Sequence, residues 1–186
     1  MHARMLAMFL LLGAGEALAI GPSLGVRLGT GPGFGSGSAV VEDGDFSSFS
    51  VGPALQIDMA VVAFEIDLLY TQVTSEVGGV EGESTEIDLP IILQLGLPVV
   101  PKLLSLKLGA GVQPRFRMSA SVEGEEVKND ETESMVMYVP ITLGARIGAG
   151  VVSLGLDVRY LYQLTPAIKD SDDRVNHLMV FGGIFF

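Results

Sequence analysis

Residues 104–122, LSLKLGAGVQPRFRMSASV, alternate with a period of two through residue 119. Even positions carry Leu104, Leu106, Leu108, Ala110, Val112, Pro114, Phe116 and Met118. Odd positions carry Ser105, Lys107, Gly109, Gly111, Gln113, Arg115, Arg117 and Ser119. Successive side chains of a strand point to opposite faces, so this stretch reads as a β-strand with one apolar face and one polar or very small face. A helix cannot hold that pattern, because its faces recur every ~3.6 residues.

The same alternation recovers eight strand segments, at 21–30, 49–59, 62–75, 85–97, 103–121, 135–148, 152–165 and 176–186. In FEIDLLY, Phe64, Ile66, Leu68 and Tyr70 oppose Glu65, Asp67 and Leu69. In VPITLGARIG, Val139, Ile141, Leu143, Ala145 and Ile147 oppose Pro140, Thr142, Gly144 and Arg146. In LGLDVRYLYQL, Leu154, Leu156, Val158, Tyr160, Tyr162 and Leu164 oppose Gly155, Asp157, Arg159 and Gln163. No helix is expected.

The connections are of two kinds, and they alternate along the chain. Those near 59–63, 97–103 and 148–152 are short and nearly uncharged. Those around 31–48, 76–86, 123–134 and 169–175 are long and acidic, as in EGEEVKNDETES. Strict alternation puts all long connections at one end of an antiparallel sheet and all short turns at the other. The chain has 22 acidic and 11 basic residues, a net charge of -11, and the excess lies almost wholly in the long connections. The strands themselves are close to neutral.

Which face is interior decides the class. A water-soluble barrel of lipocalin type would turn its apolar face inward. Here the polar face is a poor aqueous surface, since its few charges are diluted by Gly, Ala and Ser. The apolar face is almost unbroken Leu, Ile, Val, Met, Phe and Tyr. That composition suits an inverted barrel with lipid outside and a small polar interior. In hydrocarbon every backbone N–H and C=O needs a partner, so the sheet must close on itself. The expectation is an all-β, eight-stranded antiparallel up-and-down transmembrane β-barrel over residues 20–186. The last segment, HLMVFGGIFF, pairs with the first and leaves no edge.

Residues 1–19 have a short basic start with Arg4, an apolar run from Met5 to Leu12, and a small-x-small ending at Ala17 and Ala19. This is the layout of a signal peptide, and the run is far shorter than the ~20 residues that a spanning helix needs. Export with cleavage after Ala19 follows as an expectation. There is no cysteine.

An eight-stranded interior is about wide enough to be filled by side chains, so its charges are expected to be structural ion pairs. The candidates are Arg27, Asp58, Glu65, Asp67, Asp88, Lys107, Arg115, Arg117, Arg146, Asp157 and Arg159. Arg146 and Asp157 flank the third short turn and are expected to meet across it. Asp58 and Glu65 flank the first turn, with Arg27 on the neighbouring strand as their base. Arg115 and Arg117 are expected to meet Asp88 or Asp157.

The stretches GVRLGTG (25–31), FSVGPALQIDM (49–59), FEIDLLYTQV (64–73), IDLPIILQLGL (87–97), LKLGAGVQPRF (106–116) and LDVRYLYQLT (156–165) together resemble the small outer-membrane β-barrel proteins of Gram-negative bacteria, in particular the PorT-like "outer membrane protein beta-barrel domain" family and OmpX-like barrels. The resemblance implies an integral outer-membrane protein with no catalytic residues to carry over. It also implies an aromatic belt, which without Trp would fall to Tyr70, Phe116, Tyr160 and Tyr162 at the long-connection rim and Phe186 at the other. A terminal aromatic strand looks like the signal read by the outer-membrane insertion machinery, which makes Phe186 a candidate assembly residue.

Other readings are weaker. GTGPGFGSG (29–37) fits no G-x-G-x-x-G register, and EGEEVKNDETES lacks calcium-loop spacing. No metal or cofactor site is expected; a secondary reading has the acidic loops share divalent cations with lipopolysaccharide phosphates. His177 lies near Ser171, Asp172 and Asp173, but no nucleophile motif surrounds them, so the chain is not expected to be an enzyme. A narrow ion or small-solute pore is the alternative function. Nucleic acid is not an expected partner, because no basic patch exists to neutralise phosphates. The expected partners are outer-membrane lipid, lipopolysaccharide and the insertion machinery, with the chain itself monomeric.

Overall fold

The computed structural model describes residues 21–36, 44–59, 61–100, 103–123, 125–126, 134–149, 151–166 and 173–186. The expected signal peptide, 1–19, lies outside the described residues. The strands are β1 (Gly21–Ser36), β2 (Asp45–Met59), β3 (Val62–Asp67), β4 (Leu69–Val77), β5 (Val80–Asp88), β6 (Ile91–Val100), β7 (Leu104–Val122), β8 (Glu125–Glu126), β9 (Met135–Ala149), β10 (Val152–Gln163) and β11 (Arg174–Phe185).

Every strand pairing is antiparallel, and the segments run as eight staves. β3 and β4 form one stave against β2, interrupted at Leu68, whose N–H donates to the Pro53 carbonyl at 3.0 Å. β5 and β6 form the next against β7, interrupted at Leu89 and Pro90. Proline has no N–H to give a ladder, but the Pro90 carbonyl still accepts from the Asp67 N–H at 3.1 Å. Neither break changes the phase of the side chains. Glu65, Asp67, Leu69 and Thr71 all stay buried, as do Glu86, Asp88 and Ile92. β1 pairs with β2 on one side and β11 on the other, which closes the ring.

One long connection proves to be a hairpin. β4 and β5 pair without a gap from Leu69↔Asp88 to Val77↔Val80, turning on Gly78 and Gly79 with φ of +62° and +81°. Two successive positive φ values are what a tight two-residue hairpin needs to match the strand twist, and glycine adopts them without a Cβ clash. Residues 76–86 are therefore strand and turn, not loop. A bulge between Thr85 and Glu86, opposite Arg117 and Ser119, bends this ribbon where it leaves the barrel.

Polarity is inverted relative to a water-soluble domain. Leu24, Val26, Leu28, Leu93, Leu95, Leu106, Leu108, Leu143, Leu154 and Leu156 stand exposed, whereas Arg27, Glu65, Asp67, Gln113, Arg159 and Gln163 are buried. A continuous exposed apolar surface of this kind fits hydrocarbon. Tyr70, Phe116, Tyr160 and Tyr162, with Phe34 and Phe49, face outward towards the hairpin end; Phe186 faces outward at the short-turn end. Beyond Tyr70 the outer face of β4 changes to Gln72, Thr74 and Glu76, and that of β5 to Thr85, Glu83 and Glu81. The apolar band ends there.

Candidate functional site: the charged lumen

Among the described residues, twelve charged side chains share the inward face in ion pairs: Arg27, Lys107, Arg115, Arg117, Arg146 and Arg159 against Asp58, Glu65, Asp67, Glu86, Asp88 and Asp157. The sequence reading assigned Glu86 to a loop and left the strands with one surplus base. The structure places it inside and makes the lumen neutral. Its parity with Asp88 was the available signal.

The charges lie in three tiers. At the centre, Arg27 Nη2 reaches Glu65 Oε2 at 2.9 Å and Asp157 Oδ2 at 2.5 Å. Arg159 donates from Nη2 to Glu65 Oε1 at 2.9 Å, and its Nη1 lies 3.4 Å from Asp67 Oδ2. Gln94 donates to Glu65 at 3.0 Å. Towards the hairpin end, Arg115 grips Asp88 with two parallel bonds, Nε to Oδ1 at 2.6 Å and Nη2 to Oδ2 at 2.8 Å. Thr71 also donates to Asp88, and Glu86 stands between Arg115 (3.2 Å) and Arg117 (3.7 Å). At the short-turn end the contacts lengthen. Arg146 and Lys107 lie 3.5 and 4.0 Å from Asp58, whose side chain is 39% exposed in a cleft of about 330 Å3 beside Ser23, Ser153 and Phe185.

An apolar layer lies between the central and hairpin-end tiers. Leu69 is two residues beyond Asp67 on its stave, and Leu161 two beyond Arg159. With Val136, Tyr138, Met179 and Phe181 they form a buried cluster. The interior is thus not uniformly polar. Water at that level would find few polar partners.

The closing strand explains its own composition here. β11 is apolar on both faces because its inward residues serve the arginines. Arg159 stacks on Phe181 at 4.5 Å; Arg146 and Arg27 stack on Phe185 at 4.5 and 5.5 Å. Arg115 lies over Tyr138 at 4.7 Å. Each ring offers a guanidinium its negative face while carboxylates hold the edge. These aromatic partners were missed in the sequence, where an alternating strand shows only that one face is greasier.

Of the expected pairings, Arg27–Glu65 and Arg115–Asp88 are present and the others differ. Arg146 does not meet Asp157. Their residues are diagonal across the β9–β10 ladder, with Gly155↔Arg146 and Gly144↔Asp157. Arg146 is held on Phe185 and donates to Ser153 Oγ at 2.7 Å and Ser23 Oγ at 3.2 Å, while Asp157 lies over Gly144 and turns to Arg27. Arg27 takes Glu65 but not Asp58, which is met by Arg146 and Lys107. Arg115 and Arg117 meet Asp88 and Glu86, not Asp157.

No protein-family model matches the sequence, and neither does any curated protein. Solved structures do share the fold. Neisserial surface protein A superposes with a TM-score of 0.58 at 17% identity, over 89% of this chain and 99% of that one. The attachment invasion locus protein Ail of Yersinia pestis, solved with the heparin analogue sucrose octasulfate, gives 0.50 at 10% identity over 89% and 99%. Both are small outer-membrane β-barrels. This chain has their architecture.

His177 sits inside the barrel, buried, not at an open rim. Its Nε2 is 3.5 Å from Arg115 Nη1, and its ring packs tilted on Tyr138. Ser171 and Asp172 lie outside the described residues.

Proposed function

We propose that the protein is a monomeric, non-enzymatic barrel of the bacterial outer membrane that presents its acidic end outside the cell as a structural, adhesive or partner-binding surface. The observation that carries this reading is the inverted barrel with a neutral, occluded interior: apolar everywhere it would touch lipid, and filled with ion pairs where a pore would have to be open. With the lumen closed, what remains to vary is the wall beyond the aromatic rim. There Asp45, Glu76 and Glu81 stand opposite one another on β2, β4 and β5, with Glu83 beside them, all exposed. Ail holds a sulfated heparin analogue. A polyanion of that kind would be repelled by this acidic wall, so the same end of this chain fits a cationic or cation-bridged partner. Lipopolysaccharide is the surrounding lipid in this reading.

An epitope inserted between Gly78 and Gly79 tests it. Antibody should bind on intact cells, with the protein in the outer-membrane fraction. Binding only after lysis would overturn the orientation, and recovery in the soluble fraction would overturn the membrane assignment.

A further inference from the structure

Seven of the eight stave pairings join neighbours in the chain, so a connection limits how each pair can slide. The closing pair, β1 with β11, has no such link. Its register has to come from side chains. The outward face cannot supply it, because Leu24, Val26, Leu28, Leu178, Val180 and Ile184 are all lipid-compatible and a slip by two residues keeps every one of them outside.

The inward face can. Four of its cross-strand pairs set a glycine against a large residue: Gly25↔Phe185, Arg27↔Gly183, Gly29↔Phe181 and Gly33↔His177. The glycine is needed each time. A Cβ on Gly25 or Gly29 would overlap the Phe185 or Phe181 ring, one on Gly183 would press on Phe185 and the Arg27 stem, and one on Gly33 would crowd Phe46 and His177. A slip of two residues in either direction places Arg27 opposite a phenylalanine, opposite Phe185 one way and Phe181 the other. It also sets Gly183 against a glycine, Gly29 or Gly25. One site is then overfilled and its neighbour empty, and both faults are unfavourable in a packed interior.

We propose that this alternation of glycine and ring is a register lock: Phe181 and Phe185 seated on Gly29 and Gly25 select the single β1–β11 alignment in which the barrel can close. The lock also fixes the rings under Arg159, Arg146 and Arg27, so the correct closure is the one that completes the lumen network.

Cysteine cross-linking reads the register directly, since the chain has no cysteine of its own. Val26→Cys with Ile184→Cys reports the native alignment, in which these residues face each other. Leu24→Cys or Leu28→Cys with Ile184→Cys reports the two slipped ones. In the otherwise unchanged barrel only the first pair should cross-link. With Phe181→Ala and Phe185→Ala, slipped cross-links should rise above background, while a lumen truncation away from the seam, Leu69→Ala, should leave the native pair alone. If the double truncation cross-links only at 26 and 184, the lock is wrong. Should that variant fail to fold, Gly29→Phe alone should lose the native cross-link, and Gly29→Phe with Phe181→Gly should regain it. Equal loss in both would overturn the proposal.

Discussion

At the scale of single residues, the lumen is a set of cations that differ in how deeply each is held. Arg159 is fully buried, faces two carboxylates and stacks on Phe181. Removing one member of a buried pair leaves its partners charged and unmatched, which costs ~3–5 kcal/mol. Arg159→Ala should lower unfolding stability by about that amount in a urea titration of the micelle-folded protein. Arg146 shares an Asp58 that is 39% exposed, at 3.5 Å. Water and Lys107 can take up part of the loss, so Arg146→Ala should cost clearly less. Equal losses would contradict the tiered picture. Which residues face inward was legible in the sequence, because a strand's parity fixes it. Their partners were not, because they depend on which residues the strand tilt brings level across the lumen and on what else claims the side chain. Arg146 and Asp157 stand diagonally across one hairpin, yet the Phe185 ring draws one away and Arg27 the other. Glu86 was hidden for a different reason. Its surroundings, EGESTEID, are as acidic and small as a solvated loop, and it is the unbroken pairing with β4 that shows the strand continues through them.

At the scale of elements, the strands were readable wherever lipid imposes alternation and unreadable where water does not. β4 and β5 run on past the apolar band, with polar residues on the outer face and only scattered valines, Val73, Val77 and Val80, on the inner one, so no pattern marked them as paired. Glycines 78 and 79 were the remaining sign. Replacing both with alanine puts side chains at positive φ and should loosen the ribbon tip, raising amide exchange from Val73 to Val77 while leaving the urea midpoint of the barrel unchanged. A fall in that midpoint would show that the ribbon belongs to the cooperative unit. β7 makes the opposite case. Its outer face meets lipid at Leu108, paired with Leu95 and Leu143. Leu108→Arg should cost ~2–4 kcal/mol, as a cation does on the lipid face near the bilayer midplane; a neutral effect would argue that β7 does not face hydrocarbon. Just past β11, Phe186 exchanges two backbone hydrogen bonds with Leu24, at 3.2 and 2.7 Å. Under the reading of Phe186 as an assembly residue, its deletion should leave export intact and reduce the folded, heat-modifiable form in cells.

At the scale of the molecule, two properties follow from one arrangement. Turning the apolar face outward requires the sheet to close, since an open edge in lipid would leave a row of unmatched backbone groups. Closing eight staves leaves an interior that side chains can fill, and here they fill it with twelve balanced charges and an apolar layer. The folded protein should therefore give no stable current steps in a planar bilayer. Converting Leu69, Leu161 and Met179 together to serine should admit water and raise the conductance above that background. Steps from the unaltered barrel would favour the pore reading over the sealed one. All of this depends on which face of the sheet meets lipid, and β7 gives the clearest test. Spin labels placed singly at Leu106, Leu108 and Val112, and at Ser105 and Gln113, would be compared in reconstituted bilayers for collision with oxygen and with a water-soluble nickel chelate. Strong oxygen and weak nickel collision at 106, 108 and 112, with neither reagent reaching 113, is the predicted result. Strong nickel collision at the even positions would place that face in water and contradict the account.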